Sequence, residues 1–366
     1  MLIQIPSLTS RRAFLKTTTL ATAALGLAPA AQSSAHAATA RASIKLGLDN
    51  FAVRAMNWNA AQLIEYAGSL QVDSLFITDL KPFENFQDGY LRDLRKKAAD
   101  LGLQICLGSW SICPTSRSFR ADYGTAEEHL ALGLRMARAL GSPVFRVILG
   151  SRDDRRTDGG IEARIADTVK VCRACRSQAL DAGVKIAVEN HAGDMQAWEL
   201  VTLIEAAGKD YVGANIDSGN ATWTLEDPVR NLEILAPYAA CTSLRDSMIW
   251  EYEAGAKVQW TAMGEGNVDL KTYFQRFAAL CPQVPVHIET ISGFAVEFPY
   301  LKPEFWDAWP QARARDFAAF VALARTGRAL PSHRSSNAQE EQAYQRAELE
   351  RSLDYCRKVL GLGLRG

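Results

Sequence analysis

The stretch VKIAVENHAGDMQAWELVTLIEAAGKDYVGANIDSGN, residues 184–220, holds a short apolar run ending in Glu189, an amphipathic segment closed by Gly208, and a second apolar run ending in Asp217. Short runs rich in Val and Ile predict buried strands, and the longer periodic segment between them predicts a helix. Strand, helix and strand with short connections form a parallel βαβ unit. The same beat extends in both directions. Strand candidates are IKLGLDNF from Ile44, SLFITDL from Ser74, QICLGSW from Gln104, PVFRVILG from Pro143, KIAVENH from Lys185, VGANIDSGN from Val212, CTSLRDS from Cys241 and PVHIET from Pro285. Thr125 and Glu128 have capping-box spacing ahead of HLALGLRMARAL, which Gly141 stops; Gly102 and Gly183 punctuate in the same way. Eight such units predict an α/β fold closed into a (β/α)8 TIM barrel. The alternative, an open doubly wound sheet, would place a Gly-rich phosphate loop after its first strand, and LGLDNFAVR has no G-x-G-x-x-G.

Three strand candidates end in a carboxylate: Glu189, Asp217 and Glu289. A charge at the end of a buried run costs several kcal/mol unless something compensates for it. Strands lying side by side bring the three acids to one cavity. At roughly 5 Å and an effective dielectric of about 20, each ionised pair repels by about 3 kcal/mol. A positive partner is therefore expected among them, and a divalent metal is the simplest candidate. Residues two apart on a strand share a face, and barrel chemistry sits at the C-terminal strand ends. Glu189 with His191, and His287 with Glu289, should then enter one mouth, with Arg146 and Arg245 available to line it. The aromatic and Pro-rich ISGFAVEFPYLKPEFWDAWPQARARDF follows the eighth run; its Trp306 and Trp309 would either stack on a sugar ring or pack the loop onto the barrel.

Ser10-Arg11-Arg12-Ala13-Phe14-Leu15-Lys16 leads into an Ala, Thr and Leu-rich stretch ending at Ala35-His36-Ala37, a small-x-small cleavage site. The segment resembles a twin-arginine export signal. It is too short and too rich in Thr and Ala for a membrane span. The expected organisation is a signal at 1–37, a barrel domain at 38–330 and a helical tail at 331–366, exported to the periplasm by the twin-arginine machinery. Cleavage removes Arg11, Arg12 and Lys16 and no acid, leaving 38 basic and 41 acidic residues, a net charge of −3. That balance gives no basic face for nucleic acid. Seven scattered cysteines exclude a disulfide scaffold; Cys106 and Cys241 read as small buried hydrophobes, and Cys172-x-x-Cys175 lies inside a helical pattern with no partner to complete a zinc set. The tail from Asn337 to Leu360 predicts one charged helix with a stripe of Ala343, Leu349, Leu353, Val359 and Leu360, packed on the barrel or on a second copy in a homo-oligomer.

Val188-Glu189-Asn190-His191, Asp217-Ser218-Gly219-Asn220, Arg245-Asp246, Gly264-Glu265-Gly266-Asn267-Val268-Asp269 and Glu289 stand in the order and spacing of the sugar phosphate isomerase/epimerase family. Over nearly the whole mature chain the sequence resembles these xylose isomerase-like TIM barrels, also grouped with the AP endonuclease 2 superfamily. The resemblance implies a divalent ion (Mn, Mg, Co or Zn) held by Glu189, Asp217 and Glu289. It implies Glu189 and Glu289 as catalytic base and acid, and His191, Arg146, His287, Arg245 and Asn220 as substrate-binding residues. It departs at the seventh strand, where the family's His-x-Lys-Asp is Ser243-Leu244-Arg245-Asp246. Either the ion is held more weakly, or His191, His287 or water completes its shell, or Arg245 or Arg146 supplies the positive charge instead. The implied function is a periplasmic carbohydrate isomerase or epimerase working by metal-assisted proton abstraction beside a sugar carbonyl. The alternatives are a lyase or hydrolase acting on keto-glycosides, and a sugar-binding protein that has lost catalysis. A repair nuclease is disfavoured by the few histidines: His129, His191, His287 and His333 after cleavage.

Overall fold

The computed structural model describes residues 44–365; the expected export signal at 1–37 and its expected cleavage site lie outside the described residues. Eight parallel strands form the barrel: β1 Leu46–Asp49, β2 Ser74–Ile77, β3 Gln104–Ser111, β4 Val144–Ile148, β5 Lys185–Glu189, β6 Val212–Asp217, β7 Ala239–Ser243 and, after the hairpin β8 Asp246–Tyr252 and β9 Gly255–Thr261, β10 Val286–Ile288. They neighbour one another in the order β10-β1-β2-β3-β4-β5-β6-β7. Their near-complete burial is what a parallel sheet covered by helices requires. Leu46 of β1 stands beside Val286 of β10. At the other edge Leu244 N donates to His287 O at 2.7 Å and Glu289 N donates to Leu244 O at 2.9 Å. The Thr242 hydroxyl adds to this seam, donating to Pro285 O at 3.0 Å and accepting from His287 N at 3.1 Å.

Phe76, Cys106, Val144, Ala187 and Cys241 fill the N-terminal end of the barrel interior. Each lies two residues before a position on its strand that reaches toward the C-terminal mouth, so the apolar plug forms a floor under the polar residues above it. All seven cysteines are buried and unpaired. Cys172 lies in the helix Gly160–Ala174, and Cys175 sits at the break before the helix Arg176–Ala182.

The helix Ala126–Leu140 begins and ends as its sequence dictates. The Thr125 hydroxyl accepts from Glu128 N at 3.2 Å, the Glu128 carboxylate accepts from Thr125 N at 2.8 Å, and Gly141 closes the helix at φ 73°. Thr125→Ala is expected to lower stability by about 1 kcal/mol, measured as a shift of the urea midpoint at unchanged slope.

The chain departs from the simple beat after β7. The run CTSLRDS divides: the strand stops at Ser243, Arg245 turns inward, and Asp246 opens the β8–β9 hairpin. The Asp246 carboxylate accepts from Ser247 N at 2.7 Å, Gly264 N at 3.1 Å and Gly266 N at 2.9 Å, which is what the Gly264-Glu265-Gly266 turn is for. A further strand, β11 Ala295–Phe298, leaves the aromatic-rich loop and pairs antiparallel with β9. Trp306 and Trp309 pack that loop onto the barrel: Trp306 lies edge-on to Phe317 and donates to Tyr300 O, and Trp309 is buried under the Arg155 guanidinium. The tail helix Ala338–Lys358 lies against the turn at 50–56, with Ala55 N donating to Gln345 Oε1 at 2.9 Å. Its buried face is Gln345, Glu348, Leu349, Ser352, Leu353 and Cys356, while Ala343 and Val359 of the expected stripe are exposed. Leu349 and Leu353 join the barrel's own core, so this helix covers the eighth unit and is no appendage.

Candidate active site

A cavity of about 190 Å³ opens at the C-terminal mouth, and Arg146, Glu189, His191, Asn220, Arg245 and Glu289 all line it. The register explains the convergence: Glu189 stands level with Ile148 and Asn215, and Asp217 with Ser243. Glu189 is held from three sides. Arg146 Nε donates to its Oε2 at 2.6 Å, Asn215 Nδ2 to the same oxygen at 2.8 Å, and Asn220 Nδ2 to Oε1 at 3.1 Å. Asp217, fully buried beneath the cavity, accepts from Asn220 N at 2.8 Å and Asn220 Nδ2 at 2.7 Å. The Nη2 of Arg245 donates to Asp217 Oδ2 and to Glu289 Oε2 at once, so one guanidinium bridges two of the three acids.

Two glycines make room for these arginines. A Cβ on Gly219 would lie 2.5 Å from Arg245 Cγ and 2.6 Å from its Cδ, and one on Gly108 would lie 2.9 Å from Arg146 Cβ. The indole of Trp260 covers the Arg245 guanidinium at 4.3 Å and stacks on Trp223 at 4.1 Å. The Nε and Nη1 of Arg245 are buried and have no hydrogen-bond partner among the described residues.

Burial and charge set the two glutamates apart. Burial would push the Glu189 carboxyl up, but the charges of Arg146, His191 and Arg245 and the Arg146 hydrogen bond outweigh it, and its pKa lies below the ordinary 4.5. Glu289 is raised well above 4.5, by burial first and then by the charges of Asp49, Asp217 and Glu189, against which Arg245 acts. The two carboxyls are thus pushed in opposite directions, Glu189 toward its ionised form and Glu289 toward its protonated form. Burial also pushes Asp217 up to about 7. His191 is lowered to about 4 by burial; its Nδ1 lies 2.6 Å from Gly150 O and donates there, which leaves Nε2 of a neutral ring as an acceptor.

His287 is not among the residues that line the cavity. It points into the barrel as its parity requires, but one layer down, where Nδ1 reaches Thr242 O at 3.2 Å and Nε2 meets Ser74 Oγ at 3.0 Å. With both ring nitrogens occupied it braces strands β2, β7 and β10, and contact with substrate is not its task. The structure adds residues that sequence reading had missed. Asp49 on β1, raised to about 6 by burial, accepts from Ser243 Oγ at 3.1 Å and from Thr78 Oγ1 at 2.9 Å. Trp110, Trp223 and Trp260 form apolar walls. Asn215 was findable, since it shares strand parity with Asp217; Trp110 stands where the register of β3 shifts, and Trp260 was hidden because the hairpin carrying it was not recognised.

The divalent ion implied by the resemblance does not fit this donor set. Nη2 of Arg245 occupies the point between Asp217 and Glu289 that an ion shared by both would need, and Ser243 stands where the family has an imidazole. Among the described residues no three His, Cys, Asp or Glu side chains converge in a metal-binding arrangement.

Comparison with known proteins accords with this architecture. A 3-oxo-isoapionate decarboxylase of Pectobacterium atrosepticum is 22% identical over 217 residues, which span 59% of this chain and 71% of that one. A D-psicose 3-epimerase solved in the presence of D-fructose superposes with a TM-score of 0.57 at 13% identity, covering 87% of this chain and 100% of the other. A 3-keto-D-glucoside 4-epimerase of E. coli superposes with a TM-score of 0.51 at 12% identity, covering 73% and 98%. At these identities the superpositions show the shared fold. Residues 51–293 match the family described as xylose isomerase-like TIM barrel, two thirds of the chain and every barrel strand from β2 to β10. The chain belongs to the xylose isomerase-like TIM barrel family.

Proposed function

We propose that the protein is a carbohydrate isomerase or epimerase that moves a proton on the carbon beside a sugar carbonyl. The observation that carries this reading is the pair Glu189 and Glu289, which face one cavity from strands three places apart in the barrel and whose pKa values are pushed in opposite directions. Two titratable groups whose surroundings push their pKa values apart are a general base and a general acid. The cavity, at about 190 Å³, lies below the roughly 300–1,000 Å³ of pockets for drug-sized ligands and suits one sugar ring.

The ionised Glu189 takes the proton from the carbon, the C–H electron pair forms the C=C bond, and the carbonyl oxygen becomes the enediolate oxygen. Arg245, which lines the cavity, supplies the positive charge beside that oxygen as charge develops. Glu289 returns a proton from the other side, giving the epimer; return to the neighbouring carbon gives the isomer. His191 Nε2 accepts from a substrate hydroxyl, and the walls of Trp110, Trp223 and Trp260 take the apolar face of the ring.

A second reading has one observation in its favour, the similarity to a decarboxylase of a 3-oxo acid. In that reaction CO2 departs, its bonding pair enters the same kind of enolate, and Glu289 supplies the proton. The lyase acting on a keto-glycoside begins with the same enolate and ends with loss of the aglycone. We place the reaction in the periplasm, on the strength of the twin-arginine motif at Arg11-Arg12.

Incubation in D2O with free ketohexoses, with a 3-keto-glycoside and with a 3-oxo sugar acid separates the readings. The expected result is deuterium uptake at the carbon beside the carbonyl together with formation of the epimeric or isomeric ketose, followed by proton NMR. Release of aglycone or of CO2 without epimer moves the assignment to lyase or decarboxylase. Saturable binding of these sugars with no exchange and no product would instead mark a sugar-binding protein.

A further inference from the structure

We infer that two fixed guanidinium groups, Arg245 and Arg146, have replaced the divalent cation of this fold in the present chain, and that the site works without a bound metal ion. The inference rests on the proposed reading only in taking this cavity as the place of reaction.

Each of the three carboxylates that the resemblance gives to an ion is already engaged by the chain's own donors. Asp217 and Glu289 share Arg245 Nη2, and Glu189 is ringed by Arg146 Nε at 2.6 Å, Asn215 at 2.8 Å and Asn220 at 3.1 Å. The fourth position has been re-employed as well: Ser243 Oγ donates to Asp49 and accepts from Asn215 Nδ2 at 3.3 Å. Two guanidinium groups carry the same two positive charges as one divalent cation, and they stay protonated at any working pH.

The exchange is built into the backbone. Arg245 crosses over Gly219 at a distance that any Cβ would block, and the face of its guanidinium is covered by Trp260, delivered by the β8–β9 hairpin. An arginine that merely drifted into a metal site would need neither the glycine nor the indole. Arg245 is among the largest fully buried side chains in the protein, at 2% exposure. The positive charge that an ion would set beside a developing oxyanion comes instead from Arg245 and Arg146, both of which line the cavity.

The test is made on the protein as its own cells produce it, without any substrate, so its outcome is independent of the sugar reaction. Elemental analysis after purification in metal-replete medium is expected to show well under one equivalent of Mn, Co or Zn per chain, and titration with Mn2+, Mg2+ or Zn2+ is expected to leave Tm unchanged. Combining Ser243→His with Arg245→Ala is expected to create a site that takes up about one equivalent of Mn2+ or Zn2+ with a rise in Tm. One equivalent of divalent ion in the unmodified protein, lost in Glu189→Gln, would overturn the inference. That measurement decides the matter even if the double variant does not fold.

Discussion

Glu289→Gln is expected to abolish interconversion of epimers, by about 10²- to 10⁴-fold, while leaving deuterium uptake into one epimer intact. The asymmetry follows from the two-sided arrangement. With Glu189 ionised, the epimer whose C–H faces β5 still loses its proton and regains one from the same carboxyl, so exchange occurs without inversion. Glu189→Gln should instead suppress exchange into both epimers, because Glu289, whose pKa is raised, is left as the poorer base. Glu289→Gln is the cleaner variant, because burial pushes Glu289 toward its neutral form and the amide preserves its shape. Glu189→Gln leaves Arg146 buried without its anion, and removing one member of such a pair costs about 3–5 kcal/mol, so its Tm must be measured beside its rate. The pH profile carries the same assignment. Falling pH protonates Glu189, whose pKa lies below 4.5, and removes the base; rising pH takes the proton from Glu289, whose pKa lies well above 4.5, and removes the acid. Activity should therefore fall toward acid pH as Glu189 is protonated and fall again on the alkaline side as Glu289 loses its proton. A profile already declining just above pH 4.5 would show that Glu289 acts as an ordinary exposed acid, and the pairing would fail.

Much of this was legible from periodicity and strand parity. Eight short apolar runs, each followed by an amphipathic segment, specify the barrel, because a parallel strand buried on both faces has few other sequences open to it. The placement of Glu189, Arg146 and His191 in one mouth follows from two facts, the period of two along a strand and the location of barrel sites at strand ends. Parity does not record depth. His287 and Glu289 face the same way, yet a single step along β10 separates a residue in the cavity from one sealed below it by Ser74 and Thr242. The β8–β9 hairpin shows a different limit. Ala256 to Trp260 alternate after a Glu253-Ala254 turn, but an antiparallel pair inside a parallel beat competes with the helix expected there. Its loss from the reading concealed Trp260. Nor does the sequence say which charge balances the three acids; an ion and a guanidinium meet the same electrostatic need, and only the path of Arg245 over Gly219 distinguishes them.

Gly219→Ala is therefore expected to disable the site without touching any charged group. Gly219 lies in the short helix Ser218–Trp223, where Ala is favoured over Gly by about 1 kcal/mol, so propensity alone would make the variant more stable. Instead the new methyl would meet Arg245 Cγ at 2.5 Å and Cδ at 2.6 Å. The side chain has to withdraw, and Asp217 and Glu289 lose the cation they share. The expected loss in rate is about 10²- to 10³-fold, the scale of removing one donor to a developing oxyanion, with a lower Tm from the broken buried pairs. Arg245→Lys should fail to a similar degree despite keeping the charge. A lysine ammonium is a point charge on a flexible stem, without the flat fork that donates to two acids while lying under the Trp260 ring. Trp260→Ala should give a smaller loss in the same direction, since the ionic contacts stay and only the cover is removed. If Gly219→Ala proved as active and as stable as the unmodified protein, Arg245 would not be held by the backbone beneath it, and the chemistry would have to draw its positive charge from elsewhere in the mouth.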